Sequence, residues 1–176
     1  MHRLTCGLGC LVALFTSIAS GQDSPTLAKQ NRWVTSAVFM DGGNRLATGG
    51  GESLLYRGGD VKIWDVKSGQ LSASLEGQPT IVWSIAATAD GKTLITSGYD
   101  GKIILWNAAE RKPSQTLEKK GWIRRVALSP DGKNFAAGME DGNVILFETE
   151  GPKELKTFKA HEAAVYDVAF SPDGAT

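Results

Sequence analysis

The stretch Leu128-Ser129-Pro130-Asp131-Gly132 recurs along the chain as Phe170-Ser171-Pro172-Asp173-Gly174. Looser forms are Thr88-Ala89-Asp90-Gly91 and Phe39-Met40-Asp41-Gly42-Gly43. The last glycines stand at 43, 91, 132 and 174, spaced 48, 41 and 42 residues apart. A second series runs beside it: Val61-Lys62-Ile63-Trp64-Asp65, Ile103-Ile104-Leu105-Trp106-Asn107 and Val144-Ile145-Leu146-Phe147-Glu148, with aromatics 42 and 41 apart. Two unrelated patterns sharing one period define a structural repeat, and a repeat decides the fold before any local propensity does.

Each period reads as β-strands. Val82-Trp83-Ser84-Ile85-Ala86 and Val165 to Phe170 alternate in the strand manner. Ser-Pro-Asp-Gly is turn chemistry, because Pro presets φ and Gly takes positive φ. A second strand such as Thr93-Leu94-Ile95-Thr96-Ser97 follows, then the turn Gly98-Tyr99-Asp100-Gly101, and a third strand ending at Trp106. A fourth lies around Ser114 to Leu117. The expected fold class is therefore all-β, with four short antiparallel strands per period. Gly makes up 21 of 176 residues, against roughly 7% in an average chain, and these turns account for the excess.

The pattern resembles the WD40 family. The resemblance is carried by Trp64-Asp65, by the near-matches Trp106-Asn107 and Phe147-Glu148, by the Asp-Gly pairs at 100–101 and 141–142, and by the Ser-Pro-Asp-Gly turns. Ala160-His161 stands where the family has Gly-His. It implies an incomplete β-propeller over 34–176: three full four-stranded blades, with inner strands near 34–39, 82–87 and 123–128, and a final inner strand near 165–170. Thr26-Leu27 is spaced before Val34 as Thr157-Phe158 is before Val165. The lead-in at 22–33 is therefore expected to hold an initial outermost strand, at 24–27. Three blades and two part-blades do not close a ring, since propellers use 4 to 8. The expected completion is by remaining blades in cis or from another chain.

The family's blades carry a buried polar network of structural role. By resemblance Trp64 and Trp106 hold its Trp position, Asp100 and Asp141 its Asp position, Ser97 its Ser position and His161 its His position. Phe147 replaces Trp in the third blade. Gln30, Gln78 and Lys119 or Lys120 stand at the other His positions. The family's rim often contacts partners, and Trp83, Arg124 and Tyr166 fall at equivalent places at the start of the inner strands. Trp33 and Trp122 lie just before two of these strands. Trp, Tyr and Arg are the residue types enriched in binding hot spots, so these five residues are the candidate partner-binding set, with ordinary packing between blades as the alternative. Lys119, Lys120, Arg124 and Arg125 form either a patch for an acidic partner or a solvated loop.

The N-terminus reads as an export address. Met1-His2-Arg3 is a short positive region, Leu4 to Ile18 is apolar, and Ala19-Ser20-Gly21 is small. This is the pattern of a secretory signal peptide over 1–21. The apolar run is shorter than the roughly 20 residues of a membrane span, so no span is expected after cleavage. Cys6 and Cys10 would leave with the signal, and the mature chain would be free of thiols. An extracytoplasmic location follows as an expectation.

Nineteen basic residues balance nineteen acidic ones, which argues against a nucleic-acid binder. No cofactor or metal site is expected. The glycine-rich segment from Gly49 to Gly59 lacks the Gly-Lys-Ser/Thr of a phosphate loop. It reads as a flexible hairpin extension between the second and third strands of the first period, or as a partner-contacting loop with Leu54, Leu55 and Tyr56 at its apolar tip. The leading function is a non-catalytic protein-interaction scaffold. Two alternatives stay open. One is an accessory propeller of a larger secreted enzyme or c-type haem protein, although the early pair is Cys6-x-x-x-Cys10 and no Cys-x-x-Cys-His is present. The other is a small-ligand or enzymatic site in the propeller funnel, where Asp167 is the carboxylate nearest an inner-strand start.

Overall fold

The structure is a computed structural model, and it describes residues 32–52 and 57–176. The expected strand at 24–27, Gln30, the signal segment and the hairpin tip at 54–56 lie outside the described residues. Three four-stranded antiparallel sheets follow one another along the chain. The first holds β1 (Trp33–Met40), β2 (Arg45–Gly51), β3 (Asp60–Asp65) and β4 (Leu71–Leu75). The second holds β5 (Val82–Ala87), β6 (Thr93–Gly98), β7 (Lys102–Asn107) and β8 (Lys112–Glu118). The third holds β9 (Ile123–Leu128), β10 (Asn134–Met139), β11 (Asn143–Glu148) and β12 (Glu154–Lys159). Within each sheet the spatial order is the chain order.

Alternation along the strands builds two cores. Leu94, Ile104 and Trp106 of the second sheet join Val61, Ile63 and Leu75 of the first. Ile95, Ile103 and Leu105, one residue out of phase, join Val126, Phe135 and Ile145 of the third. A sheet buried on both faces has no polar face, so Ile103-Ile104-Leu105-Trp106 is a continuous apolar run. Among the described residues no sheet covers the other face of the third sheet, and only the segment around Val165 to Phe170 lies against it. Ile145 and Phe147 are buried, whereas Val144 and Leu146 are half-buried. They line an open hollow of about 450 Å³ together with Phe158 and Val168.

The turns repeat atom for atom. Ser129 Oγ donates to Asp131 Oδ1 at 2.6 Å, Lys133 N–H donates to the same oxygen at 3.0 Å, and Asn134 N–H donates to Ser129 Oγ at 3.0 Å. Thr88, Asp90, Lys92 and Thr93 reproduce this set, as do Ser171, Asp173, Ala175 and Thr176. In each turn the hydroxyl, then the backbone N–H, holds the Asp carboxyl below its ordinary value of 3.8. A carboxyl lowered by folding stabilises the fold above its unfolded pKa and ceases to do so as pH falls through the folded value. The turns are therefore expected to hold at neutral pH and to loosen below about pH 4. Carbon-detected NMR titration of Asp90, Asp131 and Asp173 checks this, and a midpoint at or above 3.8 would contradict it.

Two expectations need correction. Residues 165–170 form no strand. Val165 is buried, and its N–H donates to the Met139 carbonyl at 2.9 Å. β9 and β11 already occupy both edges of β10, however, and no other described strand faces the segment. The glycine run at the end of β2 is also packed rather than loose. A Cβ on Gly49 would lie 2.5 Å from Val82 Cγ1, so the bare backbone lets β5 approach β2 closely.

Candidate functional site

The first two inner strands pair with their neighbours irregularly at one place. The ladder skips from Val34 to Ser36 in β1 and from Val82 to Ser84 in β5. In β9 it skips from Ile123 to Arg125. The omitted residues are Thr35, Trp83 and Arg124. A bulge frees one residue from the in–out alternation and re-aims its side chain. These side chains are thus released from both cores at the same end of each strand. Tyr166 holds the corresponding position one repeat later and is 71% exposed.

In the second and third sheets the released side chains converge. The Arg124 guanidinium carbon lies 4.7 Å from the Tyr166 ring centre, 5.3 Å from that of Trp83 and 5.5 Å from that of Trp122. Trp122 stacks on Tyr99 at 4.1 Å, and Tyr99 faces Trp83 at 6.3 Å. The result is one guanidinium inside an aromatic wall, each cation–ring contact being worth about 0.5–2 kcal/mol according to its desolvation. Four of the five candidate residues are brought together. Trp33 is not: it is 63% exposed and makes no ring contact with the cluster. The first sheet offers Thr35 instead of a ring, and its hydroxyl meets the carbonyls of Gly49 and Val82.

Tyr99 joins the wall although its sequence context marks only a turn. The signal was topological. Val82 pairs with Gly98, so a residue just past the end of the second strand stands beside the start of the first.

The basic residues nearby do not act as one patch. Lys119 Nζ donates to Glu154 Oε2 at 2.6 Å, and Arg125 pairs with Asp167 at 2.9 Å. Asp167 is thereby engaged and exposed, and among the described residues it has no carboxylate or histidine bonded to it. At the opposite end of the strands lies an open cleft of about 570 Å³ between the second and third sheets. Its Asp131 is committed to the turn described above. Among the described residues no group of three or more His, Cys, Asp or Glu could hold a metal ion. Among them, too, no helix is long and apolar enough to cross a membrane.

The buried network takes a different form from the expected one. Trp106 Nε1 donates to Thr96 Oγ1 at 2.9 Å, and Thr96 Oγ1 donates to Gln78 Oε1 at 2.7 Å. Trp64 Nε1 donates to Thr48 Oγ1 at 2.9 Å in the first sheet. The hydroxyl is therefore Thr96 and not Ser97. Residues two apart share a face, and Thr96 lies on the face of Leu94 and Trp106, whereas Ser97 points to the other side. Asp100 and Asp141 cap their own turns, accepting from Lys102 N–H at 3.2 Å and from Asn143 N–H at 3.0 Å. His161 is exposed, and its backbone N–H donates to Gly142 O at 3.0 Å.

The third sheet replaces the whole set at once. Phe147 stands for the indole and Ala137 for the hydroxyl, with Phe147 stacked on Phe135 at 4.8 Å. Lys119, at the position of Gln78, lies 5.2 Å over the Phe147 ring. Removing the indole and the hydroxyl together leaves neither of them buried without its partner.

Three consecutive four-stranded blades with Asp-Gly turns, the first two carrying Trp–Thr links, define an array of propeller-type repeats. The family described as WD domain, G-beta repeat matches residues 69–107, 111–148 and 152–176, and the chain belongs to this WD40 family. The match begins just before β4 and again just before β8 and β12, so the sequence unit is offset by one strand from the sheet. Similar proteins include WD repeat-containing protein VIP3 of Arabidopsis thaliana, 29% identical over 64% of this chain and 40% of its own length. Small ribosomal subunit protein RACK1y of Oryza sativa subsp. japonica is 28% identical over 66% of this chain and 36% of its own. Methylosome protein WDR77 of Xenopus laevis is 29% identical over 78% of this chain and 40% of its own. The chain thus spans 40% or less of the length of these curated relatives.

Proposed function

We propose that this chain is a non-catalytic interaction scaffold that docks a protein partner on the rim formed by Trp83, Tyr99, Trp122, Arg124 and Tyr166. The observation that supports this reading is the repeated bulge, which sets residues of hot-spot type side by side on neighbouring blades, free of both cores. The relatives' names include a ribosomal-subunit protein and a methylosome protein, in keeping with work inside assemblies. The remaining blades, in cis or from another chain, would cover the hollow at Val144, Leu146 and Phe158.

The test is partner recovery by proximity labelling with the full-length protein in its own cell. Trp83→Ala and Tyr166→Ala are each expected to lower partner affinity by about 2 kcal/mol, some thirtyfold. Undiminished recovery with both variants would count against the rim.

The reading includes work outside the cytoplasm, supported by the signal-like pattern at 1–21. N-terminal sequencing of the native protein is expected to begin at Gln22. Recovery of an intact Met1 from the cytoplasmic fraction would refute export.

A further inference from the structure

We infer that the rim recognises a carboxylate side chain, Asp or Glu, presented by the partner beside an apolar residue. Arg124 is the donor fork, and Trp83, Trp122 and Tyr166 are the walls. This inference rests on the scaffold reading above and specifies its ligand chemistry.

The first argument is charge. Among the described residues Arg124 has no ion pair and no hydrogen bond, although the cations on either side of it are engaged. Arg125 takes Asp167, and Lys119 takes Glu154. Asp100 Oδ1 accepts from Lys102 N–H, while Asp100 Oδ2 is buried without a partner and forms no ion pair with Arg124. Glu140 Oε1 lies over Gly121 and leaves Arg124 unpaired. A half-buried guanidinium has given up part of its hydration, and ring faces replace only some of that loss.

The second argument is polarity. Two polar atoms of the cluster are buried without a partner, Trp83 Nε1 and Arg124 Nε. Both are N–H donors. The cluster is therefore rich in donors and poor in acceptors, and a complementary ligand brings acceptors.

The third argument is preorganisation. Three ring centres within 5.5 Å of its central carbon confine the guanidinium before any ligand arrives. A fixed fork matches the two oxygens of a carboxylate, and little rotamer freedom is left to lose on binding. The exposed Tyr166 ring adjoining the fork offers surface to an apolar neighbour of the acid.

The experiment is selection of a randomised heptapeptide phage library on the full-length protein. Selected peptides are then remade in four forms: acid, amide (Asp→Asn or Glu→Gln), phosphoserine, and lysine at the same position. The expected result is enrichment of Asp or Glu next to an aliphatic or aromatic residue. The acid form should bind at least about tenfold tighter than the amide form. Arg124→Gln should erase that difference, and Arg124→Lys, which keeps the charge but not the fork, should retain only part of it.

Equal binding of acid and amide forms overturns the inference, as does full acid preference in Arg124→Gln. A phosphoserine form binding ten times tighter than the acid reassigns the site to phosphate and equally overturns it. Peptides that depend on Trp83 and Tyr99 but not on Arg124 would leave the scaffold reading standing and remove this one. Enrichment of no peptide dependent on any rim residue would remove both. Should Arg124→Gln fail to fold, the Arg124→Lys and amide arms still decide the matter.

Discussion

Gly101→Ala is expected to destabilise the protein by about 3–5 kcal/mol. Gly101 has φ +75°, and a Cβ there would lie 2.2 Å from the Lys119 carbonyl oxygen. Two penalties combine. A side chain in the left-handed region is strained, and the clash is with backbone, which cannot rotate away. The contact also matters to the site, because Lys119 N–H donates to Gly101 O at 2.9 Å and fixes the loop that carries Trp122 and Arg124. Gly142→Ala should behave alike, since its φ is +87° and its Cβ would meet the His161 carbonyl at 2.0 Å. Urea unfolding of each variant measures the loss. A change below about 1 kcal/mol would show that the turn adapts and that close approach is not what the glycine provides.

Thr96→Val should cost about 2–4 kcal/mol, because one isosteric change leaves the Trp106 N–H and the Gln78 carbonyl buried without partners. Trp106→Phe alone should cost less than about 3 kcal/mol, mostly in packing. The pair Thr96→Ala with Trp106→Phe transplants the third blade's solution into the second. It should cost at least about 1 kcal/mol less than the sum of its single changes. Strict additivity in this double-mutant cycle would mean that Phe147 and Ala137 are unrelated replacements.

Much of this architecture is legible in the residues. The Asp-Gly turns bind their own neighbours, so their signature is local and survives without knowledge of the rest. The expected inner strands at 82–87 and 123–128 coincide with β5 and β9 for the same reason. The equivalence of Trp83, Arg124 and Tyr166 was readable from the period alone. Trp33 differs because it lies in the first sheet, where no described sheet precedes it to supply a ring as Tyr99 does for Trp122. Ser97 and Thr96 could not be told apart by position, since which of two adjacent residues faces a given core depends on register. Residues 165–170 alternate without forming a strand because alternation describes a side-chain pattern, whereas a strand also needs a partner for its backbone.

Burial on both faces gives the second sheet a distinct part in how the molecule comes apart. Each blade touches only its neighbours, so stability is close to a chain of local terms and interface terms. The second sheet owns two such interfaces and the third owns one among the described residues. Opening therefore propagates inward from the Val144 and Leu146 face, and the β6 and β7 amides are the last to exchange with solvent. The binding rim straddles the boundary between these two regimes: Trp83 and Tyr99 belong to the slow sheet, Arg124 to the fast one. A ligand that grips both sides would clamp that boundary, and occupancy would be read as slowed exchange in β9.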